Sequence, residues 1–84
     1  MMSKVRLYTM DGCEYCDTLR DMLDEKDVEY LEIDVLDKKD EFEKIVKISG
    51  EDSVPTIIVG KQILAPKQTF NTIEEAFKII IKLM

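Results

Sequence analysis

Eighty-four residues make a single domain, 1–84, above the roughly 40 residues below which staples or metals are usually needed and short of two ordinary domains. With 45% hydrophobic and 36% charged residues, three Gly and two Pro, the chain is globular and falls outside the collagen-like and low-complexity classes. Twelve bases against eighteen acids leave a net charge of −6, the wrong sign for a phosphate-binding surface, so nucleic acid is excluded as a partner.

Residues 1–52 carry sixteen of the acids and eight of the bases, so the N-terminal part favours basic partner surfaces or is simply a solvated face. No apolar run approaches the ~18 residues of a membrane span, so no membrane association is expected. The stretch Met1–Arg6 lacks the apolar core of a secretion signal, which places the chain in the cytoplasm as an expectation.

Taken in order, Lys4–Thr9 alternates, with Val5 and Leu7 on one face, and predicts a strand. Asp11-Gly12 breaks it. A helix follows over Cys13–Lys26, where Cys16, Leu19, Met22, Leu23 and Lys26 recur at three-to-four spacing and Glu14 and Asp17 suit its N-terminus. Met22 reads as core filler. Val28–Val35 alternates again, with Leu31, Ile33 and Val35 facing one way. Asp37 caps a second helix with an apolar stripe of Phe42, Ile45, Val46 and Ile48, and Gly50 ends it. Pro55 precedes the β-branched strand Thr56–Val59, and Gly60-Lys61 turns into Gln62–Leu64. Residues 65–71 read as irregular. Thr72-Ile73-Glu74-Glu75 is a capping box opening a last helix, with Ala76, Phe77, Ile80 and Ile81 inward. The order β-α-β-α-β-β-α predicts an α/β fold with a mixed four-stranded sheet flanked by helices. The βαβ unit gives a parallel pair and the Gly60-Lys61 hairpin an antiparallel one.

Two cysteines and no histidine remove Ser-His-Asp and Cys-His catalysis within this chain, and leave a tetrahedral zinc site two ligands short. The cysteines stand together as Cys13-Glu14-Tyr15-Cys16, where the first strand hands over to the first helix. Free N–H groups and the positive end of the helix dipole there favour thiolate at Cys13, and thiolate is the nucleophile. Cys16 sits one turn on, with its other side towards the core. An exposed attacking thiolate and a shielded resolving thiol make a dithiol exchanger. A structural disulfide is a poor alternative, because so short a loop removes little unfolded-state entropy. Half of a metal or cluster site shared between two chains is the other. Tyr15, in mid-motif, is expected to be exposed.

Ser53-Val54-Pro55 is the second signal. Proline cannot donate to the sheet and restricts Val54 to extended geometry. A cis Val54–Pro55 bond would expose the Val54 N–H and C=O to the main chain of an incoming cysteinyl substrate.

With these motifs the chain resembles the glutaredoxins, within the thioredoxin-like fold, over nearly its whole length. The resemblance rests on the strand before Cys13-x-Tyr15-Cys16, on Ile48-Ser49-Gly50 ahead of Ser53-Val54-Pro55, and on Thr56-Ile57-Ile58-Val59. It implies a small thiol–disulfide oxidoreductase. Cys13 would be the nucleophile, Cys16 the resolving thiol and Pro55 cis. Tyr15, Ser53, Val54 and Pro55 would form the binding site for glutathione or a cysteinyl substrate.

Most departures from the family pattern fall on the glutathione side. Glu14 stands for the usual Pro after the first cysteine, and Met10 for a Lys three residues before it. Glu51-Asp52 stand where a basic or amide residue is common, and Leu64-Ala65-Pro66-Lys67 where the family has Gly-Gly and then Asp. Glutathione is an anion, so Asp11, Glu14, Asp17, Glu51 and Asp52 are expected to repel it, with Lys61 and Lys67 as the candidate compensating bases. Three functions therefore compete. One is a glutaredoxin proper, with disulfide-containing proteins as substrates and glutathione as reductant. The second is a redoxin reduced by a flavoprotein reductase, resembling those that serve ribonucleotide reductase. The third is an iron–sulfur cluster carrier, against which bulky, anionic Glu14 argues. A monomer with no resident metal is expected.

Overall fold

The computed structural model describes residues 4–84, so Met1–Ser3, the start of the expected 1–84 domain, lie outside the described residues. The elements are β1 (Val5–Thr9), α1 (Glu14–Glu25), β2 (Leu31–Asp34), α2 (Lys39–Ser49), β3 (Thr56–Val59), β4 (Gln62–Leu64) and α3 (Ile73–Leu83), in the expected order. The sheet order is β2-β1-β3-β4. β1 pairs parallel with β2 and antiparallel with β3, and β3 pairs antiparallel with β4. Among the described residues no helix is long and apolar enough to cross a membrane.

Alternation along β1 and β3 supplies both faces of this sheet. Val5, Leu7, Ile57 and Val59 join Leu19, Leu23, Ile73, Ala76 and Ile80 in the larger core, between the sheet and the α1–α3 pair. Tyr8 and Ile58 face the other way and meet Ile45 of α2, with Phe42 at the margin. Met22 packs against the larger core, as its spacing predicts.

Four local expectations change. β2 is shorter than Val28–Val35, because Arg6↔Leu31 to Thr9↔Asp34 is all that β1 can pair. As an edge strand it leaves Leu31 half exposed. Asp37 does not cap α2; Lys38 takes the N-cap position without a side-chain hydrogen bond. Ile48 is 74% exposed and Ile81 43%, because one face of each helix meets the protein and these residues lie outside it. Gly50 does end α2, with the positive φ of 80° of a helix-terminating glycine. The Thr72–Glu75 capping box is present in both directions.

Candidate functional site

The site lies at the carboxyl end of β1. Asp11-Gly12 turns the chain there, with Gly12 at φ 81°, a conformation that L side chains rarely adopt. Cys13 follows as the N-cap of α1, in extended geometry. Its Sγ accepts the main-chain N–H of Cys16 at 3.1 Å. A sulfur thus fills the place that Ser or Asp usually takes at a helix start. Cys13 is partly exposed, and Cys16 is fully buried. The two are joined as a disulfide, with Cα atoms 5.2 Å apart, within the usual range for a bridge.

Across the sheet, Tyr8 pairs with Thr56, which sets Pro55 level with the end of β1. The Val54–Pro55 peptide bond is cis, as expected. The Thr56 hydroxyl donates to the Ser53 carbonyl at 2.8 Å, and the Ser53 hydroxyl donates to Glu51 at 2.8 Å, which fixes the turn. Val54 is half-buried, and its main-chain groups make no hydrogen bond among the described residues.

A cleft of about 630 Å³ brings these elements together. Tyr15 and Thr18 come from α1, Ser53, Val54 and Pro55 from the turn, and Pro66, Lys67 and Phe70–Glu74 from the approach to α3. Four of the expected site residues, Tyr15, Ser53, Val54 and Pro55, share it. Tyr15 is 68% exposed at its mouth. The far wall was not visible in the sequence as a site. Its nearest signal was the capping box, which marks the α3 start without saying what the helix end points at.

Neither Cys13 nor Cys16 lines the cleft, and nor do the acids Asp11, Glu14, Asp17, Glu51 and Asp52; among the described residues its charged lining is Lys67 and Glu74. The Glu51 carboxylate accepts the hydroxyl of Ser53, a residue of the cleft wall. Lys61 sits in the β3–β4 turn, outside the cleft. Asp11 and Asp17 border a separate hollow with Arg20, Glu32, Asp34 and Asp37. A third hollow, of about 690 Å³ at the start of α2, holds none of the expected site residues.

A shielded and a partly exposed sulfur at a helix start are arranged as disulfide exchange requires. The glutaredoxin family model matches residues 5–64, from the first residue of β1 to the last of β4. The chain belongs to the glutaredoxin family. Glutaredoxin 3 of Escherichia coli K12 is 31% identical over 61 residues, covering 73% of this chain and 74% of that protein. Glutaredoxin 1 of Rickettsia felis is 38% identical over 61 residues, covering 70% of this chain and 60% of its own longer sequence. The crystal structure of a glutaredoxin from Archaeoglobus fulgidus superposes with a TM-score of 0.73 at 27% identity, over 96% of this chain and 88% of that one. The fold is thioredoxin-like, as the order of elements predicts. This glutaredoxin is a thiol–disulfide oxidoreductase with a C-x-x-C pair, and its family commonly uses glutathione as reductant.

Proposed function

We propose that the protein reduces disulfides of other proteins and glutathione mixed disulfides by dithiol exchange, with glutathione as its electron donor. The observation that carries this reading is the unequal placement of the two sulfurs, Cys13 at the α1 N-cap and Cys16 buried behind it. The Cys13 thiolate attacks one sulfur of the target disulfide. The other sulfur leaves as a thiolate and takes up a proton. Cys16 then gives up its proton and attacks Cys13 Sγ. The target's second thiol leaves, and the Cys13–Cys16 disulfide remains. The target gains two electrons and the protein loses two. Two glutathione molecules restore the dithiol and become one glutathione disulfide.

The cleft supports glutathione in this role. Val54 offers unpaired main-chain groups to the cysteinyl part, Lys67 offers a cation to a carboxylate, and none of the five expected opposing acids is in the cleft wall itself. Tyr15, Ser53 and Pro55 complete the walls around the bound tripeptide. The protein works as a monomer in the reducing cytoplasm, where such a pair cycles.

A flavoprotein reductase as donor is the second reading. It draws on the cleft's single lysine, set against Glu74, for a tripeptide with two carboxylates. The test is reduction of the oxidised protein by glutathione with glutathione reductase, compared with reduction by thioredoxin reductase, both followed by NADPH consumption. Faster turnover with glutathione is expected. Turnover with thioredoxin reductase alone would overturn glutathione coupling and leave dithiol exchange standing.

A further inference from the structure

The hollow of about 400 Å³ beside the motif shares no residue with the substrate cleft. Its charged lining is five acids, Asp11, Asp17, Glu32, Asp34 and Asp37, and one base, Arg20. All three guanidinium nitrogens of Arg20 are engaged. Its Nε and Nη2 donate to the two oxygens of Glu32 at 3.0 and 2.6 Å, a two-pronged fork, and its Nη1 donates to Asp17 at 2.9 Å. The Glu32 carboxylate also accepts the Thr9 hydroxyl at 2.9 Å. One guanidinium thus ties α1 to β2, and through Glu32 to the end of β1 from which the Cys13 turn departs.

Asp17 is four residues after Cys13, and its main-chain N–H donates to the Cys13 carbonyl at 3.1 Å. Residues at that spacing are neighbours on a helix surface. A free carboxylate there opposes a sulfur anion, while one paired with a guanidinium opposes it far less. We propose that Arg20 is a positioning residue of the exchange reaction, holding Asp17 and Glu32 in one paired network so that the acidic flank of α1 does not suppress the Cys13 thiolate. Arg20 itself does not touch the substrate. The proposal rests on Cys13 being the nucleophile. The other charged groups bordering the motif are Asp11 and Glu14 in its own segment, Asp34 and Asp37 on the hollow side, and Lys67 and Glu74 in the cleft. All of these stay constant when Arg20 is changed.

The experiment is alkylation of the reduced, full-length protein by iodoacetamide across pH, with each cysteine followed by mass mapping. Arg20→Gln is expected to slow Cys13 alkylation about threefold on the acidic limb of the profile and to move its midpoint upward, an effect that shrinks with added salt. Asp17→Asn in the Arg20→Gln background should restore the wild-type profile, and Arg20→Lys should keep most of it, because an ammonium at this position can still pair with Asp17. Thermal unfolding of each variant checks the fold. If Arg20→Gln does not fold, Arg20→Gln/Glu32→Gln removes the carboxylate that Arg20 pairs with on β2, still frees Asp17, and should show the same shift. A Cys13 profile indifferent to Arg20, or a shift that Asp17→Asn does not reverse, overturns the proposal. Preferential labelling of Cys16 would instead overturn the assignment of the nucleophile, so the two failures are distinguishable.

Discussion

The sulfur of Cys13 lies 3.1 Å from the main-chain nitrogen of Cys16 and accepts its hydrogen bond, so the first cysteine of the motif caps the helix that carries the second. This one contact organises the site. In the reduced protein the same N–H and the α1 dipole favour a negative sulfur at residue 13, while residue 16 has no solvent to stabilise a charge. Iodoacetamide at neutral pH should therefore label Cys13 first, by about tenfold or more. Mass mapping reads the ratio, and labelling of Cys16 first would reverse the roles.

The roles also predict how the variants fail. Cys16→Ser should stop the cycle at a mixed disulfide on Cys13, visible by mass as one added glutathione or target peptide. Cys13→Ser should abolish reduction of insulin or a comparable protein disulfide. Residual insulin reduction by Cys13→Ser would mean that the buried thiol attacks on its own, against its burial.

The motif, the cis proline and the α3 capping box were legible in the sequence because each is a local pattern with a local cause. Cys13-x-x-Cys16 spans one helical turn, and Thr72 and Glu75 bond within a single turn. What escaped depends on partners distant in the chain. The alternation of Val28–Val35 looks the same for a central and an edge strand, and only the pairing with β1 cuts it to Leu31–Asp34 and exposes Leu31. Ile81 follows the helical period, yet the larger core claims Ile80 and stops there. Glu51 and Asp52 stand next to Ser53 in sequence, but only Ser53 is part of the cleft wall, with Glu51 accepting its hydroxyl. The Arg20–Glu32 pair joins residues twelve apart across two elements, a relation that no spacing rule marks.

The capping box offers a stability test. The Thr72 hydroxyl accepts the Glu75 N–H at 3.1 Å, and Glu75 in turn accepts the N–H groups of Asn71 and Thr72. Thr72→Ala removes one of these bonds and should cost about 1 kcal/mol in denaturant unfolding, with Thr72→Ser recovering most of it. Because α3 packs Ile73, Ala76 and Ile80 into the larger core, the loss should appear in the global transition and not as local fraying. An unchanged midpoint for Thr72→Ala would show that packing alone sets the helix start.

Tyr30 gives a titration test. Burial and then its hydrogen bond to Asp24, 2.9 Å long, push its phenol up from 10.0 to about 12. Burial likewise raises Tyr8, whose hydroxyl donates to Glu41 at 3.0 Å. Phenolate absorbance should therefore show Tyr8 and Tyr30 ionising later than a free phenol. Asp24→Asn should lower Tyr30 only part of the way, since burial is the larger cause. The sign for stability follows. The unfolded chain loses these protons first, so their contribution is complete below pH 10 and declines as pH rises from there towards 12. A Tyr30 that titrates as in a free peptide would mean that neither its burial nor its bond to Asp24 persists in solution.

Charge in the cleft decides the last test. Glutathione carries two carboxylates and one ammonium, and the cleft meets it with Lys67 and Glu74. Lys67 has φ 68°, and its N–H donates to the Phe70 carbonyl at 2.8 Å, so another unbranched side chain fits the same backbone. Lys67→Glu replaces an attraction with a repulsion. At about 1 kcal/mol for each surface charge contact, the rate of reduction by glutathione should fall roughly tenfold or more at low salt, with the difference closing as ionic strength rises. Glu74→Gln should act in the opposite direction and more weakly, because removing an acid adds no cation. Glu51→Gln/Asp52→Arg is the control. Their sequence position alone would have made these acids the main obstacle to the tripeptide, but they stand outside the cleft, so this double change should alter the rate by less than about twofold once the long-range charge effect is screened. A strong acceleration from that double change in high salt, with no effect of Lys67→Glu, would mean that the tripeptide lies along the turn before β3 and not in the cleft that Tyr15, Pro55 and Lys67 enclose.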